Sequence, residues 1–103
     1  ILPGNDRSDA NEWVDLPIAT GTGQARNMAV VRSSDAVIAV GGSFGTLSEI
    51  AFALNSGIPV VGINTWRLSE RGSGPNPVHI VNSAREAVDT ALQLARKNKE
   101  DSR

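Results

Sequence analysis

Residues 36–49 read Ala-Val-Ile-Ala-Val-Gly-Gly-Ser-Phe-Gly-Thr-Leu-Ser-Glu. The first five of these residues, Ala36 to Val40, are all apolar, which is typical of a parallel strand that is covered on both faces. A glycine-rich turn follows, and apolar residues then recur at helical spacing from Leu47 to Leu54. A helix that begins in such a turn points its unpaired backbone N–H groups, and the positive end of its dipole, at whatever occupies the turn. The order of strand, turn and helix therefore predicts an anion site, with phosphate as the ligand and nucleotide-like molecules as the ligand class.

The glycine turn itself is the predicted phosphate loop. Its glycines let the backbone approach a ligand and adopt positive φ angles where needed. The predicted phosphate-binding residues in this turn are Gly41, Gly42, Ser43, Gly45 and Thr46. The turn lacks the lysine of a P-loop and the G-x-G-x-x-G spacing of a dinucleotide fingerprint, so it is neither of these common loops. Thr46 and Glu49 also have the spacing of a capping box, so a purely structural role for Glu49 is the alternative.

A second glycine turn, Gly21-Thr22-Gly23, precedes a predicted helix over residues 24–33. Ligands of parallel α/β sheets bind at the carboxyl ends of the strands, so we expect Gly21 and Gly23 to face the same crevice as the first loop. A tight turn without a ligand is the alternative. Arg26, in the first turns of that helix, is expected either to clamp a phosphate with its guanidinium group or to form a surface salt bridge.

Strands and helices alternate along the whole sequence. This pattern predicts a single α/β domain over residues 1–103, Rossmann-like, with a mostly parallel sheet and flanking helices. The predicted strands cover residues 14–20, 36–40, 60–63 and 78–81, and residues 67–77 form a loop. The helix after the phosphate loop is expected to bury Leu47, Ile50, Ala51 and Leu54, and to end at Gly57 and Pro59. Ser83 is expected to cap a last helix with Glu86, and this helix should fray from Lys97 onward.

The apolar side of the last helix is predicted to carry Ala84, Ala87, Val88, Ala91, Leu92 and Ala95. Trp13 and Trp66 are expected either to stack on a base or to pack at the rim of the core. Asp35 is expected to be a turn residue, and His79, in a short apolar strand, a structural one.

The composition excludes several classes of function. The 103 residues carry a formal net charge of −1, so no overall positive field recruits nucleic acid or an anionic membrane. There is no cysteine for a disulfide or a thiolate metal site, and no metal cluster or other cofactor is expected. No apolar run approaches the roughly 18 residues of a membrane span, so a cytoplasmic location is expected.

The pattern Gly-Gly-x-x-Gly-Thr-x-x-Glu over residues 41–49, with Arg26 upstream of Asp35, resembles the signature of the LONELY GUY (LOG) family, often mislabelled lysine decarboxylases. That family cleaves cytokinin nucleoside 5′-monophosphates to the free base and ribose 5-phosphate, which implies Arg26 and Glu49 as catalytic residues and no cofactor. LOG proteins have proline at the position of Val40 and lysine at that of Asn27. With these two differences, the sequence is more similar to a bacterial branch of proteins related to DprA/Smf. That branch also resembles molybdenum-cofactor carrier proteins.

The chain begins Ile1-Leu2-Pro3-Gly4, a segment similar to the end of the third strand in that family. We therefore expect it to be the C-terminal portion of a longer family domain, or a truncated natural variant, that lacks the first strands. Unpaired strand edges favour association, so a homodimer or higher homo-oligomer is expected. Three functions stay open at this point: a nucleotide phosphoribohydrolase, a non-enzymatic carrier of a nucleotide or of the molybdenum cofactor, and a remnant that only dimerises.

Overall fold

A computed structural model describes residues 15–20, 30–69, 72 and 74–101 of the chain. In the described part, the elements in chain order are β1 Ile18–Ala19, β2 Val37–Val40, α1 Phe44–Asn55, β3 Val60–Ile63, β4 His79–Val81 and α2 Ala84–Asp101. Residues 30–32 are also helical. The rest of the helix predicted over residues 24–33 lies outside the described residues or, at Ser33, in a turn. None of the described helices is both long enough and apolar enough to cross a membrane.

The strands form a parallel sheet in the order β1-β2-β3-β4. Its register pairs Ile18 with Ile38, Val37 with Val60, and Val61 with His79. Because all these strands run the same way, their last residues lie along one edge, which we call the carboxyl edge, and their first residues lie along the opposite, amino edge. The predicted α/β class with a parallel sheet and flanking helices is therefore confirmed.

Helices cover both faces of the sheet. On one face α2 places Ala87, Ala91 and Ala95 against a cluster that includes Ile38 and Val61. On the other face α1 packs against residues of the opposite parity. This second cluster includes Ala19, Val31, Val37, Ala39, Ile50, Ala53, Ile58, Val60 and Val78. Alternate residues of β2 thus enter different clusters, which explains why this strand is apolar throughout.

The buried side of α1 differs from the predicted stripe of Leu47, Ile50, Ala51 and Leu54. The buried residues are Thr46, Glu49, Ile50 and Ala53, whereas Ala51 is exposed and the two leucines are only half-buried. The prediction is confirmed for Ile50 and wrong for Ala51, because it counted apolar residues alone. The helix is rotated so that two polar residues of its first half also face the sheet.

The end of α1 agrees with the prediction. Gly57 has a φ of +77°, a left-handed conformation that glycine adopts without steric penalty. The N–H of Gly57 donates to the carbonyl of Leu54 (3.1 Å), and the N–H of Ile58 donates to the carbonyl of Ala53 (2.9 Å). These two bonds form a Schellman motif, and Pro59 follows it.

The start of α2 is capped as predicted. Ser83 Oγ accepts from the N–H of Glu86 at 3.1 Å, and the Glu86 carboxylate accepts from the N–H of Asn82 at 3.1 Å. The expected fraying from Lys97 was wrong, because the helix continues to Asp101. Its last turns lie near the amino edge of the sheet, where Lys99 Nζ lies 3.8 Å from Asp35 Oδ2.

Three predicted strands are shorter in the structure, and one of them, predicted from residue 36, begins at Val37. Among the described residues 15–20 of the first predicted strand, only Ile18–Ala19 is regular, since Pro17 has no N–H to donate to a ladder. Its carbonyl still accepts from the N–H of Ile38 at 3.1 Å. The strand predicted from residue 78 begins at His79. The described residues of the 67–77 loop contain no strand or α-helix, and Asn76 Oδ1 joins the two ends of the loop by accepting from the N–H groups of Leu68 and Val78.

Candidate functional site

The phosphate loop leaves β2 at the carboxyl edge and leads directly into α1. Gly41 has a φ of +90°, which only glycine adopts without strain, so the prediction of positive φ is confirmed at this position. Gly42 is not among the positive-φ glycines, and Gly45 lies in the first turn of α1. A Cβ atom added at Gly41 or Gly42 would meet no described atom within 4 Å apart from the glycine and its chain neighbours. The N–H of Gly41 donates to the carbonyl of Ile63 (3.5 Å), whereas Gly42 is exposed, so the space next to Gly42 is open to a molecule that approaches the edge of the sheet.

Ser43, rather than Thr46, caps the helix. Its Oγ accepts from the N–H of Thr46 at 3.0 Å and lies 2.8 Å from the Thr46 hydroxyl oxygen. The predicted capping box of Thr46 and Glu49 is wrong, since Thr46 is the third residue of α1 and Glu49 lies further inside it. The Ser43 side chain leaves the first N–H groups of α1, at Phe44 and Gly45, without an intrahelical partner, as at every helix start.

Thr46 and Glu49 lie beneath this loop, on the side of α1 that faces the sheet. Thr46 is 0% exposed and Glu49 is 3% exposed. Every buried side-chain nitrogen or oxygen in the described part of the chain has a hydrogen-bond partner, so both polar groups are held in place. Burying a carboxylate is unfavourable unless it is paired, and Glu49 carries the one buried carboxylate among the described residues.

The residues after β3 hold the phosphate loop from the side. Asn64 has a φ of +50° and turns the chain toward the loop. Thr65 Oγ1 donates to the carbonyl of Gly41 (2.5 Å), and Trp66 Nε1 donates to the carbonyl of Ser43 (3.0 Å). Two carbonyls of the loop are thereby bonded from one side. Sequence reasoning missed the role of Thr65, and only its position just after an apolar strand pointed to this edge.

Phe44 and Trp66 form a pair of stacked rings beside the loop. Their centroids lie 5.8 Å apart and their planes are inclined by 29°. Trp66 is half-buried, whereas Phe44 is 80% exposed although it is a large apolar side chain. Trp66 thus packs at the rim of the core and also lies next to the candidate site. Trp13, the other tryptophan considered for stacking, lies outside the described residues.

A cavity of about 280 Å³ lies at the carboxyl ends of β3 and β4. It is lined by Ile63, Asn64, Thr65, Arg67, Ile80, Val81 and Asn82. Thr65 therefore belongs both to this cavity and to the contacts of the phosphate loop. The amide, hydroxyl and guanidinium groups of the lining are donors suited to an oxygen-rich ligand. None of these residues was predicted from the sequence, because they become neighbours only through the pairing of β3 with β4.

Gly21, Gly23 and Arg26 fall outside the described residues, so their roles stay predictions. His79 is exposed at the amino edge, where it lines a different cavity of about 470 Å³. Within the described ranges, no group of three or more His, Asp or Glu residues is arranged to hold a metal ion.

A parallel α/β sheet with an open glycine loop between a strand and a helix at its carboxyl edge defines a Rossmann-like protein. The chain belongs to the SLOG cluster 4 family, whose sequence profile matches residues 1–97. The resemblance to LOG and DprA proteins is confirmed at the level of the SLOG superfamily, which includes both. Membership in this superfamily suggests a nucleotide-related ligand.

The chain is also similar to an uncharacterized protein of Archaeoglobus fulgidus. The two are 53% identical over 57 residues, which cover 55% of this chain and 37% of the relative. The matched segment thus spans well under half the length of that protein. No solved structure matches the chain.

Proposed function

We propose that this protein binds a phosphorylated, nucleotide-like ligand at its carboxyl edge. The phosphate would lie against the exposed backbone of Gly42, next to Gly41, at the N-terminus of α1. The residues proposed to hold it are Gly41, Gly42, Ser43, Gly45 and Thr46. The observation that carries the proposal is the exposed Gly42, where an added Cβ would meet no described atom within 4 Å apart from its chain neighbours, directly before a capped helix start.

The proposal extends to the first glycine turn. Gly21 and Gly23 follow β1, whose last residue, Ala19, lies beside Ala39 near the end of β2. A ligand that spans the ends of neighbouring strands would therefore meet both turns. Arg26 would supply a guanidinium group that binds the phosphate through two hydrogen bonds.

Two forms of this proposal differ in the role of Glu49. In a phosphoribohydrolase, Glu49 would stabilise the positive charge that develops on the ribose, or activate water, while Arg26 holds the phosphate or the leaving base. In a carrier of a nucleotide or of the molybdenum cofactor, Glu49 would only support the loop. Its 3% exposure favours the carrier, because a carboxylate beneath the loop meets the ribose only if the loop moves.

Equilibrium binding of adenosine 5′-monophosphate (AMP) and of adenosine tests the phosphate site. We expect AMP to bind more tightly than adenosine, and Gly42→Val to weaken AMP binding at least about tenfold by covering the backbone, which corresponds to about 1.4 kcal/mol. The thermal unfolding of the variant should stay close to that of the parent, since Gly42 is exposed and a Cβ added there would meet no described atom within 4 Å apart from its chain neighbours. Equal binding of the two compounds, or an unaltered AMP affinity in Gly42→Val, would contradict the proposal.

Chromatographic detection of the free base distinguishes the hydrolase from the carrier. The protein would be incubated with a panel of nucleoside 5′-monophosphates that includes an N6-prenylated one, beside Glu49→Gln and the matched control Asp89→Asn. Asp89 is an exposed carboxylate on α2, away from the loop in the chain. Base release that is lost in Glu49→Gln alone would support the hydrolase, and AMP binding without base release would support the carrier.

A further inference from the structure

We infer that Phe44 and Trp66 form a stacking platform for the base of the bound nucleotide, with Phe44 as the residue that contacts it. This inference rests on the proposed function and narrows the ligand class. The ligand would be a phosphate ester that carries a flat aromatic base, rather than a bare sugar phosphate.

The exposure of Phe44 is the first observation. Phe44 is 80% exposed, the highest value among the exposed large apolar side chains of the described chain. An aromatic ring that stays exposed to water does not gain the favourable free energy that most such rings obtain by burial. The neighbouring residues of the helix start, Ser43 and Thr46, are bonded to each other, so the ring projects from a fixed backbone.

The attachment of the rings to the phosphate loop is the second observation. Trp66 lies against Phe44 and donates its indole N–H to the carbonyl of Ser43 at 3.0 Å. Phe44 itself is the first residue of α1 and follows Ser43 directly. The platform and the phosphate loop therefore share one backbone segment, and a ligand oriented by the loop is oriented relative to the rings as well.

The chemistry of the platform fits a nucleobase. A single ribose joins the phosphate and the base of a nucleotide, so the base must lie close to the phosphate loop. At Gly41 and Gly42 an added Cβ would meet no described atom within 4 Å apart from its chain neighbours, so no described side chain obstructs a ribose next to these two residues. Aromatic side chains stack on every base, because each base has a π face. The cavity lined by Asn64 and Arg67 offers polar groups instead and contains no aromatic side chain.

The test compares AMP with ribose 5-phosphate in binding to the parent protein and to Phe44→Ala, Phe44→Leu and Phe44→Tyr. We expect the parent to prefer AMP. Phe44→Ala and Phe44→Leu should weaken AMP binding at least about fivefold, the low end of the range for one stacked base, and leave ribose 5-phosphate within about twofold. Phe44→Tyr keeps an aromatic face and should keep the preference.

Several outcomes would overturn the inference. Equal affinity of the parent for the two ligands would remove the role of the base while leaving the phosphate site intact. An equal loss for both ligands in Phe44→Ala would mean that the ring only shapes the loop. A changed sedimentation coefficient in Phe44→Ala, with unaltered AMP affinity, would assign the ring to a contact between copies of the chain. Failure of the parent to bind either ligand would overturn both this inference and the proposed function.

Discussion

Gly62 and Gly42 are both glycines near the carboxyl edge, but their surroundings differ. A Cβ at Gly62 would lie 2.5 Å from Thr65 Cγ2 and 2.9 Å from Val78 Cγ1, whereas a Cβ at Gly42 would meet nothing within 4 Å. Gly62→Ala should therefore lower the free energy of unfolding by about 1–3 kcal/mol, as overpacking does. It should also weaken ligand binding, because Thr65 is displaced from the carbonyl of Gly41.

Gly42→Ala is the control of equal size. Its free energy of unfolding should stay within about 0.5 kcal/mol of the parent, while its ligand affinity falls. Urea unfolding with a fixed slope measures both variants. Equal stabilities for Gly62→Ala and Gly42→Ala would show that β3 moves away from Val78 without loss.

The two serine caps permit a similar comparison. Ser43 Oγ accepts from the N–H of Thr46 at 3.0 Å, and Ser83 Oγ accepts from the N–H of Glu86 at 3.1 Å. Replacing either serine by alanine should lower the free energy of unfolding by about 1 kcal/mol. Only Ser43→Ala should also weaken the binding of AMP, because Ser83 caps α2 and lies outside the proposed loop. A loss of affinity in Ser83→Ala as large as that in Ser43→Ala would contradict the placement of the phosphate.

At the scale of the elements, α2 is held to the sheet by a line of small residues. Ala87, Ala91 and Ala95 are buried in the cluster that contains Val61, whereas Ala84 at the start of the helix is exposed. Ala91→Leu should lower the free energy of unfolding by about 1–3 kcal/mol, because a larger side chain there separates the helix from the sheet. Ala84→Leu adds the same atoms at an exposed position and should change it by no more than about 0.5 kcal/mol. Comparable urea midpoints for the two variants would argue against close packing at Ala91.

The two helices also show which structural features can be predicted from the spacing of apolar residues. For α2 the apolar spacing and the Ser83 cap predicted both the start of the helix and most of its buried side. For α1 the same reasoning found the buried Ile50 but missed Thr46 and Glu49, because these two residues are polar and yet buried. The spacing of apolar residues reveals the buried side of a helix only when that side is apolar. At the start of α1 the buried side also carries polar residues, so the spacing does not reveal it. The error therefore falls at the candidate site.

At the scale of the whole molecule, the alternation of strands and helices predicted a parallel sheet, and the glycine loop was placed correctly at its carboxyl edge. The contacts that complete the edge were not predictable. Thr65 and Trp66 reach the loop from the end of β3, across more than twenty positions of sequence. The cavity near Arg67 exists only because β3 and β4 are neighbours. The sequence around each of these residues does not indicate which distant residue it will contact, so these contacts could not be predicted.

Ligand binding should stabilise the whole molecule, because the proposed site joins α1 to the ends of β2 and β3. A ligand at one hundred times its dissociation constant adds about 2.7 kcal/mol to the free energy of unfolding, which corresponds to a rise in Tm of roughly 10 °C for a domain of this size. We expect this rise with AMP, a smaller one with adenosine, and a rise in Gly42→Val that is about half as large or less, because a tenfold weaker affinity leaves AMP at no more than about ten times its dissociation constant. Glu49→Gln should keep the rise if Glu49 acts in catalysis alone, and should lose part of it if Glu49 supports the loop. Differential scanning fluorimetry at constant ionic strength measures all four cases, and sodium chloride at the same ionic strength controls for screening. A rise of equal size with adenosine, or in Gly42→Val, would mean that the stabilising ligand binds away from the phosphate loop.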